Sequence, residues 1–333
     1  MIPDGLVASF LCGLLVSAGL GWPLIALLRR VGARQTVSVD APARHAGKQG
    51  TPTMGGLMIL AGLAAPVLAD VALRPERRSA LSLLSMTMAF GLIGFVDDYL
   101  IATRGKNLGL RARSKFGMQV VAASGFVLYL SQTAVAGRTT VLGGVDLGVW
   151  YYVLAGLFIV GFSNAVNFSD GLDGLAGGMT VILALSVSLI VFAGAGFGWL
   201  PVFGGALAGA CGGFLVYNRH PARVFMGDTG SLALGAALAG MALMGKAELL
   251  FQVGAVAVWA ELFSVIVQVT VFKYRRRRYG LEAARARRVF RRTPLHHHFE
   301  ELGWPETRIV ALFCGVTAAA SAVAVILSIL SRS

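Results

Sequence analysis

Apolar residues gather in ten long segments separated by polar or charged stretches, near 5–28, 54–73, 79–97, 117–136, 150–166, 175–195, 199–217, 230–246, 248–272 and 308–330. A helix needs about 20 predominantly apolar residues to cross a bilayer core. The stretch from Leu6 to Leu28 runs uncharged over that length. It is too long for a signal-peptide core and has no basic stretch before it, so it reads as a first membrane helix. The pattern predicts an all-α integral membrane protein of about ten transmembrane helices, with 1–333 as a single polytopic membrane domain. Thr139 to Gly148, with Gly143-Gly144 at its middle, predicts a small extracytoplasmic β-hairpin.

Basic residues set the orientation. With the N-terminus outside, 23 of the 29 lysines and arginines fall in the inside segments, eleven of them between Lys273 and Arg308. Arg74, Arg77 and Arg78 form a local exception outside. This threading places four polar motifs on the cytoplasmic side: Asp97-Asp98, the run from Asn164 to Asp173, Phe225-Met226-Gly227-Asp228, and His296-His297-His298-Phe299-Glu300.

Composition agrees with the pattern. Hydrophobic residues make up 56% and charged residues only 14%, against about 25% charged in soluble domains. The net charge of +13 lies in loops flanking apolar spans, which points to anionic headgroups and phosphorylated substrates and not to nucleic acid. Cys12, Cys211 and Cys314 fall inside spans with no metal-ligand spacing and read as small core residues.

The motifs suggest a divalent cation and a phosphorylated substrate, because carboxylates are costly in apolar helices and mark function there. Asn164, Asn167, Asp170 and Asp173 recur every three residues across the end of the fifth segment, with Gly171 and Gly174 breaking the helix. Asp228 stands where a helix should open. Magnesium takes one or two carboxylates plus phosphate oxygens and water. Phe225 in a polar loop suits stacking on a nucleobase. Three consecutive histidines cannot converge on one tetrahedral ion without a distorted backbone, so they suit phosphate or charge stabilisation better than zinc. Glu261, Ser264 and Gln268 share one face of the ninth segment, as substrate contacts or as interhelical polar contacts. The tract Arg275-Arg276-Arg277-Arg278 reads as a lipid anchor.

From Lys48-Gln49-Gly50-Thr51-Pro52-Thr53-Met54-Gly55-Gly56 to Thr293-Pro294-Leu295-His296-His297-His298-Phe299-Glu300, the chain resembles the phospho-N-acetylmuramoyl-pentapeptide transferases. These belong to the polyprenyl-phosphate N-acetylhexosamine-1-phosphate transferases. The resemblance implies a magnesium-dependent enzyme of the bacterial inner membrane, with its active site on the cytoplasmic face. Undecaprenyl phosphate would attack UDP-MurNAc-pentapeptide to give lipid I and UMP, in a homodimer surrounded by membrane lipids. Carried over residue by residue, Asp228 would hold the metal, and Asp97, Asp98 and His296 would join it in catalysis. Phe225 would stack on uracil, with Gly171, Leu172 and Asp173 lining the nucleoside pocket and Asn167, Asp170 and Asn218 beside it. Lys48, Lys115 and His297 would contact phosphates or sugar, and Glu261 and Gln268 are further candidate substrate contacts.

One position departs from the family pattern: Ile101 stands where many relatives carry Lys, so that either Arg104 or Lys106 substitutes or that cation is dispensable here. The sequence leaves open whether Asp98 forms a phospho-enzyme or Asp97 deprotonates the lipid phosphate. A monoester with a second pKa near roughly 6 is already ionised at neutral pH, which favours direct displacement. The nearest alternative is the sister branch that transfers GlcNAc-1-phosphate to a polyprenyl phosphate. A secondary transporter would carry its polar motifs near mid-span, whereas these sit at one interface.

Overall fold

The computed structural model describes residues 5–32, 50–104, 109–133, 141–142, 145–193 and 198–331. Ten long helices carry the fold. They are α1 (Leu6–Arg30), α2 (Gly56–Leu73), α3 (Ala80–Arg104), α4 (Ala112–Gln132), α5 (Val149–Ser169), α6 (Leu175–Ala193), α7 (Leu200–Asn218), α8 (Gly227–Met244), α10 (Val256–Ala286) and α12 (Glu306–Leu330). Two short helices, α9 (Glu248–Gly254) and α11 (Leu295–Glu301), complete the set among the described residues. Strands β1 (Val141–Leu142) and β2 (Val145–Asp146) pair antiparallel, with Val141 opposite Asp146. Gly143 and Gly144 lie outside the described residues.

Among the described residues, eight helices are long and apolar enough to cross a membrane, which makes this a multi-pass membrane protein. The expected spans four and eight are helical but fall outside that group. Their first turns explain it: α4 opens with Arg113 and Lys115, and α8 opens with Asp228, Thr229 and Ser231. Helix α8 is buried from Thr229 to Met244. It packs against α3, α5, α2 and α6, so neighbouring helices, not its own hydropathy, keep it from water. Small residues allow this closeness: a Cβ on Gly94 of α3 would fall 2.0 Å from the Asp228 carbonyl oxygen.

The ninth expected span is not one helix. The chain breaks at Ala255 between α9 and α10, and α10 runs on past the apolar stretch into the arginine tract. Phe263 and Ile266 on α10, like Leu15 and Trp22 on α1, are exposed and form surface suited to lipid tails. Helix α3 also overruns its expected end and carries Asp97 and Asp98 within its last two turns.

The opposite end of the bundle carries its own charge pairs. Arg74 and Arg77 both reach Asp70, at 2.5 and 3.0 Å, so the local exception to the basic-residue asymmetry is partly neutralised in place. Beyond it, Tyr151 donates to Glu248 and accepts from Lys246 at 2.8 Å. This ties the start of α5 to the α8–α9 connection.

Candidate active site

The C-termini of α3, α5 and α7 meet the N-termini of α4, α8 and α12 at one end of the bundle. Three carboxylates and one ammonium form the centre. Lys115, in the first turn of α4, donates to Asp228 and lies 3.5 Å from Asp97 Oδ2. Asp97 also accepts the Leu110 backbone N–H at 2.6 Å. Asn167 Nδ2 donates to Asp228 Oδ1 at 2.7 Å and to Ser231 Oγ at 2.9 Å. Among the described residues, the cation beside these aspartates is Lys115. Arg104 contributes no described side chain, and Lys106 lies outside the described residues.

Adjacent helical residues point about 100° apart, and the two aspartates divide accordingly. Asp98 turns to α8, where its Oδ1 accepts the Asp228 N–H at 3.1 Å. Its Oδ2 accepts the Thr229 N–H at 3.0 Å and the Thr229 hydroxyl at 2.6 Å. It caps the N-terminus of α8 from another helix, satisfying N–H groups that have no partner within α8. Gly227 makes room for this: its φ is +72°, and a Cβ there would lie 2.4 Å from Asp98 Oδ2. Asp97 is left to face Lys115 and Asp228.

The polar stripe at the end of α5 is split. Asn164, one turn deeper than Asn167, donates to Gln119 at 2.7 Å as an interhelical contact. Asp170 is half-buried in the turn before α6, and Leu172 packs in the core. Asp173 joins a second group instead. Its Oδ2 accepts the Ala222 N–H at 3.0 Å and lies 3.1 Å from His220 Nδ1. Its own N–H donates to Glu306 Oε1 at 2.5 Å. Asp173, His220 and Glu306 form the group of ligand-type side chains within reach of one ion among the described residues. His220 and Glu306 were not legible as site residues from the sequence. The available signal was Pro305-Glu306 opening a helix.

The loop between α7 and α8 is held on two sides. Asn218 accepts the Gly174 N–H and donates to the Val224 carbonyl, both at 2.9 Å. Phe225 donates its N–H to the Pro52 carbonyl and accepts the Gly55 N–H, both at 2.8 Å. The Thr51 to Gly56 motif is thus docked on the backbone of Phe225, which is half-buried. Lys48 lies outside the described residues.

The histidine motif forms α11. His296 and Glu261 are both fully buried and lie 3.1 Å apart. His297 Nδ1 lies 2.5 Å from Glu300, and burial holds its imidazole below the usual histidine range although Glu300 opposes this. Gln268 accepts the Val289 and Phe290 N–H groups at 3.1 Å, so in this structure it ties the arginine-rich connection back to α10.

The end of the bundle therefore presents a carboxylate–ammonium centre inside a multi-pass helical frame. Residues 80–246, which hold most of these groups, match glycosyl transferase family 4. Residues 48–60 match the phospho-N-acetylmuramoyl-pentapeptide-transferase signature 1. With the membrane-spanning helices, these matches mark the chain as a membrane-embedded phospho-sugar transferase.

Relatives narrow the class. A phospho-N-acetylmuramoyl-pentapeptide-transferase of Gemmatimonas aurantiaca is 46% identical, over 92% of this chain and 88% of its own. Proteins of the same description from Moorella thermoacetica and Heliobacterium modesticaldum are 46% and 45% identical, over 88% and 92% of this chain and 89% and 93% of theirs. The chain belongs to the phospho-N-acetylmuramoyl-pentapeptide-transferase family.

Proposed function

We propose that this protein transfers phospho-N-acetylmuramoyl-pentapeptide from UDP-MurNAc-pentapeptide to undecaprenyl phosphate, giving lipid I and UMP at the cytoplasmic face of the bacterial inner membrane. The observation that carries the reading is the convergence of Asp97, Lys115, Asn167 and Asp228, with Phe225 three residues before Asp228, in a chain bearing the family signature.

The centre suits magnesium. Asp97, Asp98 and Asp228 bring a formal charge of −3 and Lys115 brings +1, so the deficit equals one divalent cation. Asp97 and Asp228 already share a single ammonium. Asp228 would hold the ion, with phosphate oxygens and water at its remaining positions. When bound, the ion supplies neutralisation of the diphosphate and a template for in-line displacement. Asp173, His220 and Glu306 would be the competing position, but they engage one another and the Ala222 backbone, away from Lys115.

The protein groups then act by placement. Asp98 fixes the start of α8 and with it Asp228. Asn167 orients the Asp228 carboxylate, and Lys115 holds Asp97 and Asp228 together beside the reacting phosphates. The Phe225 ring supports uracil, setting the diphosphate toward Asp228 three residues on. An oxygen of the ionised lipid phosphate bonds to the sugar-bearing β-phosphorus, the bond to the α-phosphate bridging oxygen breaks, and UMP leaves. No proton need move in that step. Phosphoryl transfer depends mainly on such alignment and charge stabilisation, and direct displacement leaves Asp98 free to serve as a cap.

The sister branch is separated by supplying purified protein with undecaprenyl phosphate, magnesium and radiolabelled UDP-MurNAc-pentapeptide or UDP-GlcNAc. Labelled lipid with release of UMP is expected only from the first. Labelled lipid from UDP-GlcNAc alone would refute the assignment.

A further inference from the structure

His296 is held by one nitrogen and leaves the other without a partner. Glu261 accepts the His296 backbone N–H at 3.2 and 3.3 Å through its two oxygens, and lies 3.1 Å from the ring Nδ1. A carboxylate that accepts from Nδ1 fixes the hydrogen on that nitrogen. The remaining nitrogen, Nε2, is buried and makes no hydrogen bond. Both side chains are completely shielded, so solvent does not satisfy it. Buried polar atoms are nearly always paired, and an exception is often a functional one.

Nε2 is aimed at one place. A Cβ built on Gly171 would stand 2.2 Å from Nε2 and 2.7 Å from Cε1. The ring tip therefore occupies the space that any side chain at 171 would need. Gly171 belongs to the turn between α5 and α6, which the family resemblance implies lines the nucleoside pocket.

The geometry points to Glu261 as a positioning residue that locks His296 with Nδ1 protonated, and to His296 Nε2 as the acceptor for a hydrogen-bond donor of the bound uridine. That donor is a ribose hydroxyl or the uracil N3–H, reached when the 170–174 turn yields around the ligand. The inference rests on the proposed function, since it needs a uridine nucleotide in this pocket. Its distinct content is which atom of the protein meets it. Glu261 acts only through His296, as second partners of ligating histidines do elsewhere.

UMP inhibition of the full-length enzyme tests this, using UMP, 2′-deoxy-UMP, 3′-deoxy-UMP and N3-methyl-UMP against wild type, His296→Asn, Glu261→Gln and the double variant. In His296→Asn the shorter side-chain amide keeps the bond to Glu261 but places nothing at the Nε2 position. In wild type, one analogue is expected to bind about 10-fold more weakly than UMP. In His296→Asn, UMP itself should weaken about 10-fold, near 1.4 kcal/mol, and that analogue should lose its extra penalty. Glu261→Gln should weaken UMP similarly, with no further loss in the double variant, whereas a merely structural role would leave analogue discrimination intact. Unchanged UMP inhibition in His296→Asn, or an analogue penalty that persists there, would overturn the inference while leaving the proposed function standing. Equal inhibition by all four nucleotides in wild type overturns it without any variant. Absence of UMP inhibition in wild type would instead count against the proposed function.

Discussion

Asp98→Asn should damage stability first and activity as a consequence. Asp98 is buried and accepts three hydrogen bonds from the first turn of α8. An asparagine side chain can keep its carbonyl toward Thr229, saving two of them, but its NH2 then faces the Asp228 N–H. One bond to a charged acceptor is lost, at about 1.5–3 kcal/mol, and a buried donor is left unpaired, at about 1–3 kcal/mol. The favourable charge at the helix N-terminus is also removed, about 0.3–1 kcal/mol. The three effects overlap, so a total of about 2–5 kcal/mol is expected, which corresponds to a fall in melting temperature on the order of 5–15 °C. Thermal unfolding of the detergent-solubilised protein measures it, with Asp97→Asn as the control. The side chain of that control still accepts the Leu110 N–H and loses only the 3.5 Å interaction with Lys115. It should melt within a few degrees of wild type while turnover falls about 10²–10³-fold. Equal melting temperatures for Asp98→Asn and wild type would refute the capping role, as would equal destabilisation by the two variants.

Phe225→Ala should weaken the UDP-substrate by roughly 5- to 150-fold, since base–aromatic stacking is worth about 1–3 kcal/mol. The lipid-substrate KM should stay unchanged, and equal losses for both substrates would mark the ring as structural. His297 has its pKa lowered by burial, so the unfolded state binds the proton more readily. Its contribution to stability is present above the unfolded value of about 6.5 and is lost as pH falls toward the folded value. Melting curves between pH 7.5 and 5.5 should therefore fall more steeply for wild type than for His297→Gln, and parallel curves would remove His297 from the account. Cysteines placed between Arg275 and Arg292 should resist impermeant labelling from outside intact cells, and labelling there would reverse the proposed orientation.

Much of the frame was legible because membrane helices announce themselves by run length. What run length could not show was where a helix continues after its apolar residues end, and so α3 and α10 overrun their expected limits. It also could not show the break at Ala255, which lies inside an unbroken apolar stretch. Helix α8 is the reverse case, modest in its own hydropathy and buried by its neighbours. The site residues were legible as chemical types at helix ends. Their pairings were not, because they join residues more than a hundred positions apart, as Lys115 joins Asp228 and Asp98 joins Thr229. The even spacing of Asn164, Asn167, Asp170 and Asp173 suggested one polar stripe. Helical rise instead spreads them over several ångströms of depth, and the turn at Gly171 sends Asp173 to a different partner.

The divalent ion is expected at one position, on Asp228. Crystals soaked with manganese and UDP-MurNAc-pentapeptide, measured for anomalous scattering, locate it directly. A single strong peak is expected at about 2.0–2.2 Å from a carboxylate oxygen of Asp228, on the side facing Asp97 and the diphosphate. A peak among Asp173, His220 and Glu306 with none at Asp228 would contradict it.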